Sequence, residues 1–337
     1  MAHSKLTRFG LVFVLVMMVV LTACGSDDDK DDTKVFHVGV LSGSDIFNTA
    51  IDGFKAGLTD AEFVEGKTIE YDIQYAGGDP AKMKSISEKF VADKVDLIFV
   101  TTNNATLAVQ TATADTTIPV IFTLVIGPID AGLVESLAQP GGHITGIQNP
   151  LDISIGKRIE FWLEIDPEAK QLWVPYDPNY PTNNIILPVL EEIAPQLGIE
   201  LIMSSVSSPA GVVATINNFE ANDVVPIDAV IILPDLTIQA DESWNAILAY
   251  SQAHGLPILA NTLAQVEQGA LLSFLTDNEA TGRQAAHLAE QVFNGINAGN
   301  LPVETADLFL TVNLPAAEAL GLTVPDLVLG RAATILR

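Results

Sequence analysis

The chain has 337 residues, 48% of them hydrophobic, with 16 Lys plus Arg against 42 Asp plus Glu and a formal net charge of −26. That length fits about two domains of ~150 residues, and the apolar content rules out disorder for the bulk of the chain. The charge argues against a nucleic-acid partner, which needs Lys and Arg against phosphates, and a single Cys excludes an internal disulfide or a Cys-built zinc site.

The first residues join a basic start (Lys5, Arg8) to an apolar run from Phe9 to Val20, broken only by Gly10. The run is shorter than the ~20 residues of a spanning helix and reads as a secretory signal over residues 1–23. It ends in Leu21-Thr22-Ala23-Cys24-Gly25, which resembles the bacterial lipobox. The resemblance implies cleavage before Cys24, a diacylglyceryl group on its sulfur and acylation of the new N-terminus. The alternative is a plain signal or an uncleaved anchor helix with an incidental Cys. Two or more acyl chains give stable anchoring where one is marginal. The signal holds two basic and no acidic residues, so the chain from Cys24 onward carries a net charge of −28. Gly25 to Thr33 (GSDDDKDDT) is polar and acidic, so residues 24–34 read as a solvated tether.

From Val35 the pattern alternates strand and helix. Val35–Leu41 reads as a strand and Phe47–Leu58 as a helix. Lys67–Tyr75 alternates as a strand, and Gly77-Gly78-Asp79-Pro80 opens a helix to about Ala92. Asp96–Val100 is apolar after its first residue, as in a sheet covered on both faces. A helix at 104–114, a strand at Val120–Thr123, a helix at 130–138 and the turn Gln139-Pro140-Gly141-Gly142 follow. The alternation restarts after Asn149, with strands at 171–175, 200–204, 229–233, 257–260 and 269–274. Helices are expected at 154–164, 183–197, 209–220, 241–254 and 277–294. Such spacing implies parallel sheets with right-handed crossovers, and two of them imply two lobes.

In open α/β sheets ligands bind beyond the carboxyl ends of the strands. The residues there include Ser42, Ser44, Thr102, Asn103 and Thr123 in the first half, and Tyr176, Asp235 and Asn261 in the second. The set is rich in hydroxyls and amides and contains no Lys or Arg. Such residues cap helices, and a helix N-terminus holds a carboxylate without a basic side chain. Asp235 follows the apolar strand Val230-Ile231-Ile232-Leu233-Pro234 and either pairs with a ligand ammonium or caps the next helix. Tyr176 either stacks on the ligand or is a surface residue of the Pro175–Pro181 loop.

Catalytic patterns are missing. Gly66-Lys67-Thr68 lacks the upstream Gly of a phosphate loop and enters a strand. There is no G-x-S-x-G elbow and no H-E-x-x-H, and the five His are scattered. No metal or cofactor is expected, and the chain is read as a non-enzyme.

These pieces together resemble the ABC transporter substrate-binding proteins of the tryptophan/tyrosine type, a branch of the type I periplasmic-binding-protein fold. The resemblance covers almost all of residues 35–337. It rests on Val38-Gly39-Val40-Leu41, Gly53-Phe54-Lys55-Ala56-Gly57-Leu58, Val64-Glu65-Gly66-Lys67, Gly78-Asp79-Pro80, Ala131-Gly132-Leu133-Val134-Glu135, Gly282-Arg283-Gln284-Ala285-Ala286 and the run from Asn313 to Leu322. It implies an α/β protein of two Rossmann-like lobes with parallel sheets and three crossovers, near 146–150, 274–277 and 300–304. The lobes would comprise 35–147 with 276–302, and 148–275 with 303–337. The chain departs from the family pattern at Gly127-Pro128, Leu236, Asn261-Thr262-Leu263 and Phe274-Leu275, so an aromatic amino acid does not follow as ligand. The expected function is capture of a small solute, an amino acid or related zwitterion, by closure of two lobes. The protein would be a monomeric, extracytoplasmic lipoprotein anchored to the bacterial cell membrane, in the periplasm or on the outer face, handing its solute to an ABC permease with its ATPase. Rival readings are a receptor module feeding a membrane sensor and a secreted hydrolase.

Overall fold

Residues 34–44, 47–222 and 227–337 are described in a computed structural model. The signal, Cys24 and the tether up to Thr33 lie outside the described residues. Among the described residues no helix is long and apolar enough to cross a membrane.

The first half runs β1 (Phe36–Ser42), α1 (Asn48–Asp60), β2 (Ile69–Tyr75), α2 (Pro80–Asp93), β3 (Leu97–Thr101), α3 (Asn103–Thr113), β4 (Val120–Val125) and β5 (Ile144–Gln148). The second runs α4 (Leu151–Ile165), β6 (Gln171–Tyr176), α5 (Asn183–Gln196), β7 (Glu200–Ser205), α6 (Pro209–Asn222), β8 (Ala229–Ile231), α7 (Leu236–Gln239), α8 (Asp241–His254), β9 (Ile258–Ala260), α9 (Leu263–Glu267) and β10 (Leu272–Thr276). The chain finishes with α10 (Asn278–Phe293), β11 (Glu304–Thr305), β12 (Leu308–Asn313), α11 (Leu314–Ala319), α12 (Asp326–Leu329) and β13 (Ala332–Leu336).

The strands form two sheets, one ordered β11-β5-β4-β3-β1-β2 and the other β13-β12-β10-β9-β8-β6-β7. All pairings are parallel except β10 with β12. Each sheet is covered on both faces, which is why its central strands read as unbroken apolar runs. On one face of the first sheet Val38, Val40, Phe99 and Ile121 pack on Ile51, Phe54, Ala285 and Ala289 of α1 and α10. On the other, Leu41, Ile98 and Phe122 pack on Met83, Phe90, Ala105 and Val109 of α2 and α3. The second sheet is clothed by α4 and α5 on one side and by α6 and α8 on the other. Burial of a Leu, Ile or Phe side chain contributes about 1.5–3 kcal/mol, so these four apolar layers hold the fold.

The chain passes between sheets three times, at Asn149–Pro150, at Asp277 and at Ala306–Asp307. The third lies beyond the expected 300–304, because Glu304–Thr305 adds an edge strand beside β5. The expected helix at 130–138 is a single turn. Leu133 N–H bonds to Pro128 O, and Gly132 adopts φ +69°, a left-handed stop that ends the helix at once.

Helices α1 and α10 approach unusually closely. A Cβ on Gly53 would lie 2.1 Å from the Glu279 carbonyl oxygen, and one on Gly282 the same distance from that of Ala50. Gly57 faces Arg283 and Ala286. Contacts advance in step along both helices, so the two are parallel with their N-termini side by side.

Candidate functional site

The carboxyl ends of the two sheets face one another across a crevice of about 1090 Å³. The first sheet contributes Thr102, Asn103 and Asn104 after β3, and Leu124 and Ile126 at the end of β4. The start of α1 adds Phe47 and Thr49. The second sheet contributes Pro234, Asn261, Thr262, Leu263 and Ser273, with Phe309 and Thr311 from β12. Tyr180 and Thr182 reach in from the turn before α5 and Ile185 from its first turn, with Thr276 to Glu279 at the head of α10. The walls therefore alternate aromatic and aliphatic surface with hydroxyls and amides. Asp277 and Glu279 are the lining carboxylates, and no Lys, Arg or His lines the crevice among the described residues.

Two lining residues hold uncommon backbone conformations. Thr102 has φ 75° and ψ 155°, and Leu124 has φ 56°. Non-Gly residues in such regions cost about 1–3 kcal/mol each and persist where surrounding structure fixes them. The fixing is visible at Asn103. Its Nδ2 donates to Ile126 O at 2.7 Å and its Oδ1 accepts from Ile126 N at 3.0 Å, tying the head of α3 to the end of β4. Thr102 N–H donates to Thr123 O, while its own carbonyl accepts from Thr106 Oγ1 at 2.7 Å.

Thr102, Asn103 and Asn261 thus lie on the crevice, while Ser42, Ser44, Thr123, Tyr176 and Asp235 do not line it. Ser42 is fully buried, its hydroxyl donating to Ser44 O at 2.7 Å and lying 3.3 Å from Thr101 Oγ1. Thr123 is fully buried as well. Tyr176 is half-buried against the core beneath α4 and α5. Asp235 is fully buried and acts as a cap. Its carboxylate accepts from Thr237 N–H (2.9 Å), Ile238 N–H (3.4 Å), Asp177 N–H (2.7 Å) and Asn183 Nδ2 (2.6 Å). Those four donors use the carboxylate to join β8, the loop after β6 and α5.

Beside Phe309, the aromatic side chain on the second wall is Tyr180, in the loop that follows Tyr176. Burial, and secondarily the nearby Asp235 charge, raise its pKa, so the phenol stays neutral. Asp177 is held below the usual carboxylate range by the N–H of Asn179 and the hydroxyl of Thr237. Thr262 caps α9 in a capping box with Gln265, whose Oε1 also takes the Asn261 N–H at 2.9 Å. Sequence reading looked only after strands. It missed Phe47, Thr49, Asp277 and Glu279, which sit at helix heads, and Thr311, on the antiparallel strand β12.

The fold and crevice agree with what the chain is similar to. The family described as ABC transporter substrate binding protein matches residues 37–336. The chain belongs to that family. It is 31% identical over 318 residues to a tyrosine-binding protein of Clostridioides difficile, covering 91% of this chain and 89% of that one. A ligand-free, open structure of a substrate-binding protein with adhesive properties from Clostridium difficile is similar at 26% identity, with a TM-score of 0.77 over 90% of this chain and 99% of that one. A crystal structure from Streptococcus pneumonia of an ABC domain in complex with L-Trp shares the fold, with 24% identity and a TM-score of 0.71 over 90% and 100% of the two chains.

Proposed function

We propose that this substrate-binding protein captures an aromatic amino acid, tyrosine or tryptophan, by closure of its two lobes, and delivers it to an ABC importer from outside the cytoplasm. The observation that supports this reading best is the crevice itself. It has room for one drug-sized solute, and both sheets contribute walls of mixed apolar and hydrogen-bonding character. Phe47, Tyr180 and Phe309 supply surface for an aromatic ring. Thr102, Asn103 and Asn261 are the proposed polar contacts, with the exposed N–H groups at the head of α3 receiving the carboxylate and Asp277 or Glu279 facing the ammonium. Ligand drives closure only by binding the closed form more tightly than the open one. The tyrosine-binding relative adds weight to the solute class. Lipid on Cys24 would hold the protein at the membrane surface, and the chain would act as a monomer whose lobes divide at the three passages between sheets.

Thermal shift and calorimetry on the purified chain against L-tyrosine, L-tryptophan and a panel of other amino acids and sugars test the solute. A solute at 100 times its dissociation constant adds about 2.7 kcal/mol of stability. Preference for a sugar or a purine over every amino acid would refute the reading. For the anchor, Cys24→Ala should release the protein from the membrane fraction.

A further inference from the structure

Among the described residues the crevice has no basic side chain on its walls, yet one lies directly behind the second of them. Arg158 is fully buried in the middle of α4. It sits one turn below Ser154, which lines the crevice and donates its hydroxyl to Phe274 O. Its Nη1 donates to Ile232 O at 3.0 Å and to Ala260 O at 2.9 Å. These carbonyls stand at the ends of neighbouring strand segments. The residue after Ala260 is the lining Asn261, and the lining Pro234 follows two residues after Ile232.

The sheet needs such a brace there. Val230 and Ile232 N–H groups bond to Pro257 O and Leu259 O in regular succession. At the next step Asn261 N–H turns instead to Gln265 Oε1, and Arg158 takes the Ile232 carbonyl. The guanidinium thus stands where the ladder ends and the wall begins.

Its remaining nitrogens, Nε and Nη2, have no hydrogen-bond partner among the described residues. Burial brings its pKa down, to about 9, so the group is still protonated at neutral pH. An uncompensated buried cation costs several kcal/mol, and an apolar side chain of similar volume would serve the core better. A function for the charge resolves that cost.

We propose that Arg158 is a positioning residue for the solute, bracing the ends of the second-lobe wall and placing a positive charge behind it, so that the crevice favours solutes carrying a carboxylate. This rests on the amino-acid reading above and deepens it, because it assigns the source of selection for the anionic group to a side chain that never meets solvent.

The test compares L-tyrosine with L-tyrosinamide, which lacks the carboxylate charge, by calorimetry on the full chain and on Arg158→Gln and Arg158→Lys. The wild-type chain should prefer tyrosine. Arg158→Gln keeps a donor for the carbonyls but drops the charge, and should cut that preference about tenfold, the effect of one unit charge across a few side-chain diameters in a medium of intermediate dielectric. Arg158→Lys keeps the charge and should retain most of the preference. A merely structural arginine would, on replacement by Gln, weaken both ligands equally, and an unchanged preference would overturn the proposal while leaving the amino-acid reading intact. Should Arg158→Gln not fold, a tenfold loss of preference in Arg158→Lys would overturn it instead. A wild-type chain that binds neither these compounds nor any other amino acid would overturn both readings.

Discussion

Replacing Gly282 by Ala probes the contact on which the first crevice wall depends. The new Cβ would lie 2.1 Å from Ala50 O and 2.7 Å from Phe54 N, where ordinary contact begins at 3.4 Å. Both obstructing atoms are backbone of α1, so no rotamer change relieves them, and the helices must separate by about 1 Å in a core packed to crystal density. Overpacking of this kind costs about 1–3 kcal/mol, more when backbone must shift. Against it stands the gain of about 1 kcal/mol for Ala over Gly inside a helix. The net expectation is a loss of roughly 1–2 kcal/mol, or a fall in Tm of about 2–6 °C for a chain of this size. Solute affinity should fall too, since the head of α10 moves with the helix. Gly211→Ala is the matched control. It lies in α6, its new Cβ would meet nothing closer than 3.4 Å, and it should gain a few tenths to 1 kcal/mol. Thermal unfolding of the two variants decides the matter. A Gly282→Ala protein as stable as the wild type would show that the parallel helix pair is not held by backbone contact.

Asp235→Ala should destabilise the protein by about 2–4 kcal/mol, because it strands four donors around a buried site; urea unfolding measures this. Thr102→Gly should raise Tm, since Gly adopts φ 75° without strain, while weakening solute binding by removing a lining side chain; a lowered Tm would refute the strain argument. His143, half-buried with its Nε2 2.9 Å from Thr113 Oγ1, has its pKa lowered by burial. The unfolded chain therefore takes up a proton near pH 6.5 that the folded chain declines, and stability should fall as pH drops through that value. His143→Gln should flatten that part of the stability–pH profile.

Much of the architecture was legible because strand and helix alternate with clear apolar runs, as in Leu97–Thr101 and Val120–Val125. The strand β5 was missed, since Ile144-Thr-Gly-Ile-Gln carries a glycine. The structure shows why the glycine is there: a Cβ on Gly146 would lie 2.1 Å from Phe122 O. The helix expected at 130–138 failed because Gly132 takes a left-handed φ that composition does not disclose. Thr102, Asn103 and Asn261, singled out because they follow strand ends, lie on the crevice. Asp235 looked available for the same reason, but four buried donors converge on it through the tertiary fold. Tyr180 lines the crevice instead of Tyr176, because Tyr176 is still paired in β6 and only the turn beyond it reaches inward. Arg158 had no sequence signal, lying mid-helix beside Lys157 with nothing to mark it as the buried one of the two.

The glycine-locked pair of α1 and α10 also decides where the molecule can bend. Asp277 caps α10 through the Ala280 N–H and comes straight after β10, so there is no slack between the last residue of one sheet and a helix fastened to the other. Any swing of the halves must be concentrated in the torsions of a couple of residues there and in the two other short passages. Such a joint turns about a narrow axis, and a stiff joint of this kind lets a contact of a few ångströms at the solute become a much larger excursion at the far rim, where a membrane partner would read it.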